Sequence, residues 1–142
     1  MQTKYFFIAF LCCTICCTEN VNAQITGGIH SSGKSFNLAI GYNFSERIWA
    51  DMRFYVPSLS DEFDPEIMCN YNIIKRDKFE HYTGFGFFPY EFNSVEAIYG
   101  MAVMPFEKNK NISFNLEFKP LFDFDDIDLL ITGSVGVRYI LR

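Results

Sequence analysis

The chain has 142 residues and a formal net charge of −5, and 18% of its residues are aromatic. This length suggests a single domain, and so many aromatic residues argue against intrinsic disorder. The balance of 17 Asp and Glu against 12 Lys and Arg argues against nucleic-acid binding, which favours a basic face. No run approaches the ~20 apolar residues of a transmembrane helix, so none is expected in the mature chain.

Residues 1–23 are predicted to form a cleaved secretory signal peptide. Lys4 provides the positive start, an apolar stretch follows it, and Ala23 supplies the small residue before the predicted cleavage point. Cleavage would remove four of the five cysteines and leave a mature domain at 24–142 that contains only Cys69. We expect Cys69 to pack as a small apolar side chain, because one thiol cannot form an internal disulfide.

The mature chain alternates between apolar and polar residues in segments of strand length. In the clearest segment, 35–44, every second residue is a large apolar one. This period of two is typical of a β-strand with one apolar and one polar face. The eight predicted strands cover 25–30, 35–44, 48–56, 66–73, 79–88, 95–104, 112–119 and 129–141.

The connections between these strands alternate in length and charge. Successive connections of an antiparallel meander fall at opposite ends of the sheet. The short turns at one end carry six Lys and Arg against three acidic residues, at 45–47, 75–78 and 107–111. The longer connections at the other end carry eight acidic residues against one lysine, at 30–34, 57–65, 89–94 and 122–128. One end is therefore predicted to be acidic and the other mildly basic.

The residues on the two strand faces favour a membrane barrel over a soluble one. One face carries large apolar side chains, which lipid accommodates without crowding. The other face mixes glycine and alanine with charged residues, and the tight interior of an eight-stranded barrel is filled by such side chains. We therefore predict an all-β fold, an eight-stranded antiparallel up-and-down transmembrane β-barrel, with a network of paired charges in its lumen. The predicted network consists of Asp51, Arg53, Glu66, Glu80, Glu96, Glu117, Lys119 and Arg138.

The last predicted strand has a polar residue, a glycine two positions later, and hydrophobic residues at its sixth and eighth positions. These residues are Ser134, Gly136, Tyr139 and Leu141. With the alternation along the whole mature chain, this pattern resembles the small eight-stranded outer-membrane β-barrels of Gram-negative bacteria, the OmpX-like and OmpA-like barrels. The resemblance implies recognition of the last strand by the barrel assembly machinery, contact with outer-membrane lipids, and acidic connections outside the cell. Many members end on an aromatic residue, whereas this chain ends with Leu141 and Arg142.

Two weak signals for chemistry lie at the predicted acidic end. His30 and Ser32 are candidates for the catalytic pair of a lipid-modifying enzyme, since a histidine can activate a serine hydroxyl. Carboxylates are ligands for hard cations, so a Ca²⁺ or Mg²⁺ site is also conceivable. The candidate metal ligands are Asp123, Asp125, Asp126 and Asp128.

The expected function is a structural or surface-binding role, including adhesion, through the acidic loops of a monomeric barrel. A pore is not expected, because eight strands leave no open channel. The sequence contains no phosphate-binding loop or dinucleotide fingerprint, so no cofactor is expected. Two alternatives stay open, the lipid-modifying enzyme and a soluble periplasmic, lipocalin-like barrel that holds an apolar ligand.

Overall fold

The computed structural model describes residues 24–33, 35–56, 65–89, 94–108, 110–124 and 129–141. The predicted signal peptide at 1–23 lies outside these residues. The described chain forms eight strands: β1 Gln24–Ser31, β2 Phe36–Asn43, β3 Ile48–Tyr55, β4 Pro65–Lys75, β5 Phe79–Phe87, β6 Ser94–Val103, β7 Ile112–Asp123 and β8 Leu129–Leu141. No helix in these ranges is long and apolar enough to cross a membrane.

The strands close into a barrel in which each pairs antiparallel with the next in sequence. β8 returns to β1, and the closing register runs from the pair Ile25 and Leu141 to the pair Ser31 and Val135. The predicted fold class, an eight-stranded antiparallel meander barrel, is confirmed. Closure leaves no unpaired sheet edge among the described strands, and it satisfies their backbone hydrogen bonds within the barrel.

Three strands are longer than the alternation predicts. β1 gains one residue at each end, Gln24 and Ser31. β7 continues past Lys119 to Asp123, because 120–123 still pair with β6 or β8. β4 extends to Lys75 and contains a bulge between Asn72 and Ile74. The extra residue of a bulge breaks the period of two, and both Ile73 and Ile74 are exposed as a result.

The distribution of side chains is the reverse of that in a soluble protein. Among the described residues, 6 buried residues are hydrophobic and 17 are polar or charged. β6 shows the pattern most clearly, since buried and exposed or half-buried residues alternate along its whole length. The interior is therefore polar, and the outer surface carries the large apolar side chains.

Interior glycines make room for the large side chains that cross the lumen. A Cβ at Gly100 would fall on the Tyr82 ring, and a Cβ at Gly136 would fall on the His30 ring. Gly100 is the register partner of Tyr82 on β5, and Gly136 is the register partner of His30 on β1. Since interiors are close-packed, each glycine is the counterpart of one bulky inward residue.

Candidate functional site

All eight charged residues predicted for the lumen are buried inside the barrel. β3 and β7 supply two each, and β4, β5, β6 and β8 supply one each. They lie in three groups along the barrel axis, one at the centre, one toward the long connections and one toward the short turns. We define these groups by their basic residues, Arg53, Lys119 and Arg138.

The Arg53 group occupies the centre of the barrel. Arg53 donates from Nη1 and Nη2 to the two carboxylate oxygens of Glu117, each at 2.7 Å. Its Nη2 also lies 3.3 Å from Oδ2 of Asp51. Two parallel charge-assisted hydrogen bonds fix both the distance and the plane of a guanidinium–carboxylate pair. This pair joins β3 to β7 across the lumen.

Glu117 is the acceptor on which several other interior side chains converge. The Tyr82 hydroxyl donates to it at 2.7 Å and the Ser134 hydroxyl at 2.8 Å. Nδ1 of His30 lies 3.9 Å from its Oε2. A buried carboxylate needs such partners to offset its desolvation, and these come from β1, β3, β5 and β8.

The Lys119 group lies nearer the long connections. Nζ of Lys119 is 2.8 Å from Oε1 of Glu66 and 3.0 Å from Oε2 of Glu96. One ammonium thus bridges two carboxylates from β4 and β6, which would otherwise repel each other. All three side chains are almost fully buried.

The Arg138 group lies nearer the short turns. The Arg138 guanidinium lies over the Trp49 ring at 4.2 Å from its centroid, and its Nη2 is 3.6 Å from Oε2 of Glu80. The indole Nε1 of Trp49 donates to Oδ1 of Asn72 at 3.3 Å. Arg138 therefore makes one cation–π contact and one long ion pair. Its charge is neutralised less completely than the charges of Arg53 and Lys119.

The sequence-based network omitted four residues that complete these contacts. Trp49, Asn72, Tyr82 and Ser134 hydrogen-bond or stack with its members. Each of these four side chains points into the lumen, as the charged side chains on the same strand do. The alternation of residues therefore contained the information needed to find them.

The candidate catalytic pair is not assembled as the sequence suggested. His30 lies within β1, not on a connection, and its side chain is 1% exposed. Pairing with β2 and β8 draws it into the ladder, where it is the register partner of Asn37 and Gly136. The Ser32 hydroxyl instead hydrogen-bonds with that of Ser35 at 2.8 Å. Neither ring nitrogen of His30 has a hydrogen-bond partner among the described residues.

The candidate metal ligands are only partly described. Asp123 ends β7, while Asp125, Asp126 and Asp128 lie outside the described residues. Within the described ranges, no group of three or more His, Cys, Asp or Glu residues is arranged to hold a metal ion.

The residues of the assembly pattern occupy both faces of β8. Ser134 is buried and Gly136 adjoins the His30 ring, so both face the lumen. Tyr139 and Leu141 are exposed on the outer surface. The hydrophobic part of the pattern thus faces outward on the strand that closes the barrel.

The side chains that fill the lumen limit the kind of ligand that the barrel can hold. Charged and aromatic side chains cross the centre of the barrel. A lipocalin-like barrel would need an apolar interior around its ligand, whereas the described interior is lined mainly by polar groups.

Comparison with known proteins supports the fold class. No protein-family model matches the chain, and no curated protein matches it. Among solved structures, a chain from work described as the de novo design of transmembrane β-barrels is similar, with a TM-score of 0.54 and 12% sequence identity. The match covers 84% of this chain and 94% of the designed one. At this identity the likeness is one of fold, a closed antiparallel β-barrel.

Proposed function

We propose that this chain is an exported outer-membrane β-barrel protein of a Gram-negative bacterium, with a structural or surface-binding role. The observation that carries the proposal is the reversed distribution of side chains, a polar lumen inside an apolar outer surface. In a membrane barrel the strands alternate between lipid-facing apolar residues and lumen-facing polar ones. The similarity in fold to a designed transmembrane barrel agrees with this proposal.

The size of the apolar surface supports a lipid environment. Thirty large hydrophobic residues are exposed among those described. If each leaves on the order of 100 Å² exposed, about half of a large side chain, together they expose on the order of 3,000 Å². The largest apolar patch on a soluble monomer is typically about 300–600 Å². Such a surface in water would drive aggregation.

The lengths of the strands fit the thickness of an outer membrane. The strands contain 8 to 13 residues. At ~3.3 Å per residue and a tilt of ~40°, they span roughly 20–33 Å, which brackets the ~25 Å apolar band of such barrels. Tyr42, Phe44, Tyr71 and Tyr139 are exposed toward the short-turn end. Aromatic residues at this level are typical of a membrane–water interface.

The filled lumen favours a role at the surface over transport. The Arg53–Glu117 pair and its partners occupy the centre of the barrel, so the acidic long connections are the natural place for specificity. By the family resemblance, these connections face outside the cell and bind a surface or partner. The barrel, a monomer assembled through its last strand, lies in the lipid and holds these connections at the membrane surface.

Cell fractionation tests the membrane proposal directly. We expect recovery with the outer membrane, and faster migration of unboiled than boiled protein on a denaturing gel, because a closed barrel resists detergent until heated. Recovery in the soluble periplasm without a mobility shift would refute the proposal.

Labelling of single cysteines tests the orientation and the loops. In a Cys69→Ala background, a membrane-impermeant maleimide should label Ser60→Cys on intact cells and should not label Asn109→Cys. The reverse result would place the basic turns outside.

Replacing Asp125, Asp126 and Asp128 by Asn should reduce surface adhesion without changing the heat-dependent shift. Unchanged adhesion would leave a structural role.

A further inference from the structure

The barrel opens at its short-turn end into a cavity that the lumen network does not fill. The cavity has a volume of about 760 Å³. Its walls come from the turns at 45–47 and 75–77 and from the adjacent strand ends, and Trp49 and Arg138 are among its most buried lining residues. This volume is within the range of small-molecule sites, about 300–1,000 Å³.

The charges that line this cavity are mainly positive, although the protein as a whole is acidic. Five cationic side chains line it against three carboxylates. The cationic residues are Arg47, Lys75, Arg76, Lys110 and Arg138. The carboxylates are Glu46, Asp77 and Glu80. Lys75 donates to the backbone carbonyl of Glu46 at 3.0 Å, and this partner is a neutral group that does not cancel the charge of the lysine.

Arg138 carries the strongest indication of a missing acceptor. It is 5% exposed, and its Nε and Nη1 have no hydrogen-bond partner among the described residues. A buried charged donor left unsatisfied is costly, and such groups normally have a partner. Its one carboxylate neighbour, Glu80, lies at 3.6 Å from Nη2, whereas Arg53 binds Glu117 through two contacts of 2.7 Å.

From this geometry we propose that the cavity binds a small phosphate-bearing anion, with Arg138 at its floor and Lys75 at its rim. The planar guanidinium matches phosphate oxygens through two parallel donors. The Trp49 ring lies against one face of the guanidinium, 4.2 Å from its central carbon, and fixes its plane. Glu80 repels an anion, and the excess of cations over carboxylates in the cavity lining opposes this repulsion.

The single tryptophan of the chain provides the readout. Because the Arg138 guanidinium lies 4.2 Å from the Trp49 ring centroid, an anion on Arg138 should change the indole emission. The folded protein in maltoside detergent would be titrated with inorganic phosphate, with chloride keeping the ionic strength constant. We expect a saturable change that chloride alone does not produce.

Matched lysine variants separate a site from general charge screening. Lys75 and Lys78 flank the same turn, but only Lys75 lines the cavity. Lys75→Gln should weaken binding about two- to threefold, as expected for a partly solvated cation, and Lys78→Gln should leave it unchanged. Arg138→Gln should weaken binding roughly tenfold or more, because a charge-assisted hydrogen bond is lost.

The result that overturns the proposal does not depend on the folding of the Arg138 variant. If neither inorganic phosphate nor phosphatidylglycerol changes the emission of the unaltered protein, or if Lys75→Gln and Lys78→Gln weaken the response equally, the cavity is not an anion site. A second titration with phosphatidylglycerol in mixed micelles identifies the source of the phosphate group. A response to this lipid but not to inorganic phosphate, with the same dependence on Lys75, would assign the site to a lipid headgroup.

Discussion

Replacing Glu117 by alanine should destabilise the barrel far more than the same replacement at Glu107. Both glutamates form an ion pair of 2.7 Å, Glu117 with Arg53 and Glu107 with Lys78. The Glu117 pair is fully buried, whereas the side chains of Glu107 and Lys78 are 77% and 70% exposed. The two variants therefore differ mainly in burial.

The expected magnitude follows from the contacts of Glu117. Its loss leaves the buried Arg53 with Asp51 at 3.3 Å, and it removes the acceptor of the Tyr82 and Ser134 hydroxyls. Breaking a buried pair costs about 3–5 kcal/mol, and unsatisfied hydroxyls add to this cost. An exposed ion pair contributes less than about 1 kcal/mol. We expect a difference of roughly 4 kcal/mol in the free energy of unfolding.

Urea unfolding in lipid vesicles, followed by the emission of Trp49, measures this difference. Equal unfolding midpoints for Glu117→Ala and Glu107→Ala would refute the assignment of Glu117 to the lumen. The triple variant Asp51→Asn, Arg53→Met and Glu117→Leu provides a further check, because it removes every charge of the Arg53 group. Replacing a whole buried ion pair by apolar residues is often close to neutral, so the triple variant should be more stable than Glu117→Ala.

Three further predictions concern packing, charge and assembly. Gly100→Ala should lower the free energy of unfolding by about 1–3 kcal/mol through overpacking, because its Cβ would fall on a buried tyrosine ring. Gly27→Ala is the control, since its Cβ would have nothing within 4 Å. Equal shifts of the two variants in gel-unfolding temperature would contradict this prediction. Lys119→Gln leaves two buried carboxylates without their cation, so it should lower the free energy of unfolding by about 3–5 kcal/mol. The same change at the exposed Lys110 should lower it by less than about 1 kcal/mol. Urea unfolding measures both values. Leu141→Asp should lower the amount of heat-modifiable barrel in the outer membrane, whereas Leu141→Phe should maintain or raise it; equal amounts of the two would argue against recognition of the last strand.

The alternation of residues predicted the faces of the barrel because a strand of period two reports burial directly. It did not predict which charges pair. Arg53 and Glu117 are 64 residues apart, and they meet because of the stagger of neighbouring strands, which the alternation of a single strand does not contain. The pattern also failed at Ile73 and Ile74, where a bulge adds a residue.

His30 shows how local composition misleads near a strand end. It precedes two serines and Gly33, and such a stretch is typical of a turn. The ladder hydrogen bonds to β2 and β8 nevertheless keep it in β1. The contact of Trp49 with Arg138 joins residues far apart in sequence, so no local pattern predicts it.

β1 and β8 are neighbours, with Ile25 the register partner of Leu141, so the two ends of the mature domain lie close together. The strands could therefore be connected in a different order along the chain without changing which strands pair. A circular permutant joining the ends of the mature domain by a short linker, and opened at the 57–64 connection, would retain every strand pairing. Its new last strand would be β3, so the assembly pattern of β8 would lie inside the chain. Such a permutant would refold in detergent as the parent does, while its insertion in cells would depend on whether the terminal position of β8 is required.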